Sequence, residues 1–234
     1  MTTSNVITYE PTTTEFIQWA FNILGVAQEG EALTALMYQN GLRALSGLIQ
    51  TLSAYPHLFT ATEGTVTLVA DQPSYVVSPR ALRVLECRYR QNGIDVPMGQ
   101  FSRQEYFDQP NKTVSPSIPV NFYFDPQVAS GTLYLWPCPS ATFVADFTVH
   151  YTYFRFIDIQ TDTSQTLDIP QQWAEVIAFN LAKRLASQYP VNDPNLLKLV
   201  LLQADETLAR LQMWDNEPAS LFMQIDRRGW DGRG

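Results

Sequence analysis

The sequence predicts an α+β protein: an antiparallel helical bundle formed by N- and C-terminal helices, with a β-rich, antiparallel-sheet region inserted between them. Three observations carry this expectation. Apolar residues recur at helical spacing before Tyr55 and again after Ile169. The stretch between is a series of short β-type runs punctuated by Gly, Pro and Asn. Ile169-Pro170-Gln171-Gln172-Trp173 then opens a long amphipathic helix directly after that stretch. The expected division is an extended N-terminal arm over 1–13, bundle helices over 14–55, the β-rich insertion over 62–157, a C-terminal helical hairpin over 170–214 and a docking tail over 215–234.

Taken in order, the polar, Thr-rich start reads as the arm. Thr14 is the expected cap of a short helix carrying Phe16, Ile17, Ala20, Phe21 and Leu24, and Gly25 ends it. A second helix is expected from about Glu29 to Ala54, with Leu33, Leu36, Met37, Ala44, Leu45, Leu48, Ile49 and Leu52 at helical spacing. Gly41 and Gly47 either weaken it or permit close packing against another backbone. Tyr55-Pro56 closes it.

In the insertion, Thr65–Val69 alternates faces and Asp71-Gln72-Pro73 turns. Leu82–Tyr89 is the next strand. Asn92-Gly93 is the strongest turn signal, because both central residues of a type I′ turn need positive φ; it joins 87–91 to 94–96 as a hairpin. Ser102-Arg103-Gln104-Glu105 is a capping box that starts a short helix ended by Pro110. Pro119–Asp125 and Thr132–Trp136 read as two strands. Two prolines keep 136–140 extended or turned. Ala141–Phe156 reads as one long strand or a bent pair, with Phe143, Ala145, Phe147, Val149, Tyr151 and Tyr153 on one face.

After the acidic linker 158–168, Trp173, Val176, Ile177, Leu181 and Leu185 form a helical stripe. Asp193-Pro194 caps the last helix, whose stripe is Leu197, Val200, Leu201, Ala204, Leu208 and Leu211. The short connection between the two predicts an antiparallel hairpin. The tail carries Leu221, Phe222, Ile225 and Trp230, four large apolar residues in a stretch too short and broken to build its own core.

The 234 residues hold 16% charged residues against 13 Phe, 11 Tyr and 5 Trp. Such a balance suits either surface covered in an assembly or one large β-rich core. Lys and Arg total 15 and Asp and Glu 23, a formal net charge of −8. The densest basic cluster is Arg83, Arg88 and Arg90 around Glu86, which is no stripe for stable nucleic-acid binding; passive contact with a sliding duplex stays compatible. Cys87 and Cys138 have no CxxC partner pattern and read as buried thiols. The N-terminus lacks the blocks of a signal peptide, and no apolar run is long enough to span a membrane.

No motif for chemistry emerges. His57 and His150 stand in different elements, without HExxH, and read as hydrogen-bonded residues. Gly25…Gly30 is followed by Glu31-Ala32, so the cation of a phosphate loop is missing. Asp158, Asp162 and Asp168 lack the spacing of a calcium loop and read as a solvated linker. Pairs among Asp146, Asp158 and Asp162 are the weak basis for a carboxylate-hydrolase alternative. The aromatic strand 143–156 offers a second alternative, a receptor-binding tail protein recognising glycan, although a doubly covered sheet accounts for it more simply. No catalytic residue, cofactor or metal is expected.

Four pieces in order carry a resemblance: Ser102-Arg103-Gln104-Glu105-Tyr106, Leu133-Tyr134-Leu135-Trp136-Pro137-Cys138-Pro139, Ile169-Pro170-Gln171-Gln172-Trp173, and Asn180-Leu181-Ala182-Lys183-Arg184-Leu185-Ala186. Together they resemble the head-to-tail adaptor (head-completion, portal-docking) proteins of short-tailed bacteriophages, over most of residues 14–214. The resemblance implies a non-enzymatic virion protein at the head-tail junction, made in the host cytoplasm. It implies a homo-oligomeric ring, expected to be a dodecamer, docked on the portal protein. That ring extends the DNA channel, lets DNA pass without stable binding, and gives the tail nozzle or fibres a platform. A tail-tube subunit is the alternative of similar kind. Acidity, sparse charge with many aromatics, and two terminal docking segments agree with this reading. The tail is expected to dock through Leu221, Phe222, Ile225 and Trp230 on the portal or a neighbouring subunit, or to fold back on its own bundle.

Overall fold

The computed structural model describes residues 9–27, 30–112 and 118–215, the side chain of Trp214 excepted. The first helix, α1 (Thr13–Ile23), is capped by Thr12 rather than by Thr14. The Thr12 N–H donates to the Glu15 carboxylate at 2.7 Å, and the Glu15 N–H donates to the Thr12 hydroxyl, closing a capping box. Thr14 instead ties α1 to the acidic linker, its hydroxyl and N–H donating to the Thr163 carbonyl at 2.8 and 2.9 Å. Gly25 takes φ +65° where α1 ends.

The second helix, α2 (Ala35–Ser53), starts later than the expected Glu29. Gly30 sits at φ +86°, outside helical space, and Thr34 supplies the cap by accepting from the Met37 N–H. Of the two roles considered for Gly41, the packing role is realised. A Cβ there would lie 2.5 Å from Ile17 Cγ2, so its absence lets α1 and α2 approach.

The chain then enters β structure, with short helices between strands. The strands are β1 (Ala61–Val66), β2 (Ser74–Val77), β3 (Ala81–Gln91), β4 (Ile94–Pro97), β5 (Gly99–Gln100), β6 (Asn121–Pro126), β7 (Gly131–Trp136) and β8 (Thr148–Arg155). They form two four-stranded sheets, ordered β1-β8-β3-β4 and β2-β7-β6-β5. Every pairing is antiparallel except β5 with β6. The Asn92-Gly93 hairpin forms as expected: φ is +51° and +80°, and Gln91 pairs with Ile94. The Ser102 capping box also forms and starts α3 (Arg103–Asp108).

Three expectations are corrected. Ala141–Phe156 is not one strand. Ser140 accepts from the Phe143 N–H at 3.2 Å and starts the helix α4 (Ala141–Asp146), and β8 follows. Phe143 and Phe147 stack on each other at 4.6 Å, a contact the helical turn produces without strand alternation. The strand expected at 65–69 lies upstream, at 61–66, because its ladder with β8 ends at Val66–Val149. The short β2 was not anticipated between two turn-forming, proline-containing stretches.

Two more helices complete the described chain, α5 (Ala174–Leu185) and α6 (Pro194–Trp214). Pro170 precedes a single 3-10 turn, Gln171–Trp173, that leads into α5. Asp193 caps α6 with Pro194 behind it, as read from sequence. Asn180 Nδ2 donates to the Ala204 carbonyl at 3.2 Å, Lys183 pairs with Asp205 at 2.6 Å, and the Trp173 end faces Asp215 through His57. The start of α5 thus lies near the end of α6, while the middle of α5 meets the middle of α6, so the two helices are antiparallel.

The interior has two apolar clusters. Helices from both ends of the sequence share one: Phe16, Ile17 and Phe21 of α1, Leu45 and Ile49 of α2, Ile177, Leu181 and Leu185 of α5, and Val200 of α6. The two sheets enclose the other, with Val84, Cys87, Val149, Tyr151 and Tyr153 facing Val77, Phe122, Leu133 and Leu135. The molecule is therefore α+β.

Candidate assembly interface

The residues with chemical potential are engaged in structural roles. Among the described residues no group of three or more His, Cys, Asp or Glu is placed to hold a metal ion. Cys87 is fully buried, and burial pushes its thiol far above the usual range, so the reactive thiolate does not form. Cys138 is also buried and free. His150 faces the Glu63 carboxylate at 3.1 Å and the Thr148 hydroxyl at 3.1 Å.

The three linker carboxylates do not converge on one point as calcium ligands. Asp162 accepts from the N–H and hydroxyl of Ser164, bonds that hold it below the usual carboxylate range. Asp168 receives both guanidinium nitrogens of Arg155, one at 2.9 Å. Burial raises the Asp168 carboxyl, but the Arg155 hydrogen bonds, the Asp158 N–H and the Arg155 charge outweigh it, and the net direction is down. Asp146 is exposed on α4.

Two of the three arginines of the basic cluster are neutralised in place. Arg88 sits on the outer face of the first sheet between Glu63 at 2.5 Å, Glu86 at 3.0 Å and Asp95 at 3.1 Å. Arg90 makes a two-pronged contact with Asp95. These arginines spend their donors on carboxylates, leaving little positive field for phosphate.

An apolar surface left open to solvent lies on α6. Its expected stripe is only partly covered: Val200 and Ala204 are buried, and Leu197, Leu208 and Leu211 are half-buried. Leu199, Leu202 and Met213 stand on the outer face at 55%, 59% and 78% exposure. Leu201, expected to face inward, is exposed as well. A full turn of bare leucines on a surface helix marks a face open to contact.

At the end of α6 the chain is locked before it enters residues 216–234. His57 is 4% exposed. Its Nδ1 lies 2.8 Å from Asp215 Oδ2 and its Nε2 lies 3.1 Å from the Leu52 carbonyl. The Leu58 N–H donates to the other Asp215 oxygen at 3.1 Å. Phe59 stacks on the imidazole at 5.6 Å and Trp173 meets it edge-on at 4.7 Å. Sequence reasoning missed this lock: His57 and Asp215 are 158 positions apart and neither belongs to a motif. Leu221, Phe222, Ile225 and Trp230 lie outside the described residues, beyond this anchored root.

An apolar helix face left open to solvent suits a protein that works by being held against others. The class is the structural adaptor of bacteriophage virions. The chain belongs to the SU10 adaptor protein family, whose model matches residues 16–228. Among solved structures, a chain described as "Virion of native gene transfer agent (GTA) particle" is 12% identical, over 86% of this chain and 93% of that one, with a TM-score of 0.30. A superposition that low is no evidence of a shared fold. A comparison with curated proteins finds no match. Among the described residues no helix is long and apolar enough to cross a membrane.

Proposed function

We propose that this adaptor completes the head-to-tail junction: it binds the portal protein as a closed homo-oligomeric ring, extends the DNA channel, and carries the tail nozzle or fibres. The family match supports the adaptor role, and one observation carries the finer reading. The outer face of α6 presents Leu199 and Leu202 to solvent, on the helix whose far end carries the locked root of the terminal segment. Head-to-tail contact between copies buries such a face on every subunit when rotation closes the ring. Neutralised arginines and a net charge of −8 suit a wall past which DNA slides. Leu221, Phe222, Ile225 and Trp230 dock the tail on the portal. Each buried side chain of this size contributes roughly 1.5–3 kcal/mol before ordering costs.

The test is capture of the purified chain by its portal, imaged in negative stain. A ring on the portal face, lost on deletion of residues 217–234, is the expected result. Particles that retain their genome and attach a normal tail without this protein would refute the proposal.

A further inference from the structure

The open leucines of α6 need a surface to receive them, and a candidate lies where three helices meet. Arg184 of α5 donates to the Thr51 hydroxyl of α2 at 2.8 Å, and Asn180 of α5 donates to the Ala204 carbonyl of α6 at 3.2 Å. Beside these contacts a groove of about 240 Å³ remains. α5 lines it with Val176 and Ile177, α2 with Leu48 and Leu52, and α6 with Leu208. Thr51, Lys183 and Arg184 supply its polar groups. A groove lined by apolar residues of neighbouring helices is a shape that takes the apolar face of a further helix.

The charge in this groove is only half matched. Lys183 is paired with Asp205 at 2.6 Å. Among the described residues no carboxylate stands within ion-pair distance of Arg184, which is half-buried and donates to Thr51. The α6 ridge carries the opposite sign. Glu206 follows Leu202 by four residues, so it lies on the same face one turn along. Its partner in the subunit is Arg210, in an exposed i,i+4 pair, and pairs of that kind are weak and readily exchanged. Position fits as well. On an ideal helix Leu208 lies roughly 120–180° round the axis from Leu199 and Leu202. Ridge and groove therefore occupy different faces of one subunit.

We propose that the groove is the socket for the α6 ridge of the next copy in the ring. Leu199 and Leu202 of one subunit enter between α2 and α6 of its neighbour, and Glu206 meets the neighbour's unmatched Arg184. The assignment rests on the ring proposed above and names the surface that receives its contact. A ridge on one face and a socket on another make a heterologous contact, the kind that rotation closes into a circle. Each subunit then gives one ridge and receives one, and none is left open. The leucines supply the apolar burial, and the Glu206–Arg184 pair fixes register, since a shifted copy would leave Arg184 without a carboxylate.

Thiol cross-linking on the portal reads this contact. Thr51→Cys and Leu202→Cys fall at exposed positions, and the native Cys87 and Cys138 are buried, so a short bis-maleimide reaches the introduced pair. The full-length chain carrying both changes, bound to its portal, should give a ladder of covalent multimers on a denaturing gel, and either change alone should give none. Dimers from Leu202→Cys alone overturn the assignment, because ridge would then meet ridge. A ring without the ladder also overturns it and leaves the function proposed above standing. So does a ladder that appears only after residues 217–234 are deleted, since the groove would then belong to the chain's own tail. No ring from the unmodified chain refutes the function and the socket together. Charge reversal gives an independent reading. Arg184→Glu and Glu206→Lys should each weaken ring formation by about tenfold or more, and the two together should recover most of it. Losses that simply add in the double variant show that the two side chains do not meet.

Discussion

Two single residues set terms that the rest of the fold must meet. Gly41 stands mid-helix, where alanine would ordinarily gain about 1 kcal/mol in helix propensity. Here the added Cβ meets Ile17 Cγ2 at 2.5 Å and Ile17 Cγ1 at 3.0 Å, and Ile17 is fully buried. A β-branched side chain rooted on a neighbouring helix cannot swing aside. Gly41→Ala should therefore lower stability by about 1–3 kcal/mol in chemical denaturation, and adding Ile17→Ala should make the glycine substitution much less harmful. The sequence left Gly41 with two readings because spacing shows which residues share a face and cannot show how near another backbone comes. Asp168 is the second. Its folded carboxyl titrates below the usual range, so its contribution is fully present above the unfolded value of about 3.9 and disappears as pH falls through the lower folded value. Asp168→Asn should cost about 1–2 kcal/mol at neutral pH, and its difference from the unmodified chain should vanish in strong acid. An equal difference at both pH values would show that the bond with Arg155 is not the source.

At the scale of elements, capping chemistry and periodicity were legible and long-range contact was not. The Ser102 box, the Asp193-Pro194 start, the Asn92-Gly93 hairpin and the Trp173–Leu185 stripe each depend on neighbours in sequence, and each stands in the structure. The segment 141–156 misled because Phe143, Ala145 and Phe147 continue the alternation of Val149, Tyr151 and Tyr153. Ser140, whose hydroxyl caps α4, was not read as a helix start, and the alternation alone carried the strand expectation. The α6 terminus shows the converse. Its anchor is made by His57 and Asp215, whose meeting depends on α2, α5 and α6 packing first. Asp215→Asn keeps the shape but weakens both bonds, and should speed amide exchange over residues 208–215 by an amount corresponding to about 1–3 kcal/mol. The Asn92-Gly93 hairpin, remote from that end, should exchange as before. If the two regions loosen together, the lock supports the whole fold and not the helix end.

For the whole molecule the question is why a well-packed chain leaves leucines bare. Two apolar clusters account for its internal stability, and neither needs Leu199 or Leu202. A surface leucine is ordinary when single, yet these two stand one helical turn apart, with Met213 further along the exposed side of α6. Burying both against a neighbour contributes roughly 3–6 kcal/mol per contact, and in a closed ring each subunit makes that contact at both of its flanks. Leu199→Asp with Leu202→Asp should therefore separate folding from assembly. Exposed positions change stability by about 0.5 kcal/mol or less, so the thermal midpoint should stay within a few degrees of the unmodified chain. Association should collapse, because each ring contact would have to desolvate two carboxylates facing apolar surface. Sedimentation of the variant with and without portal checks this. A monomer of unchanged stability that no longer rings the portal is the expected outcome, whereas an intact ring would show that α6 points away from its neighbours and that another surface closes the circle.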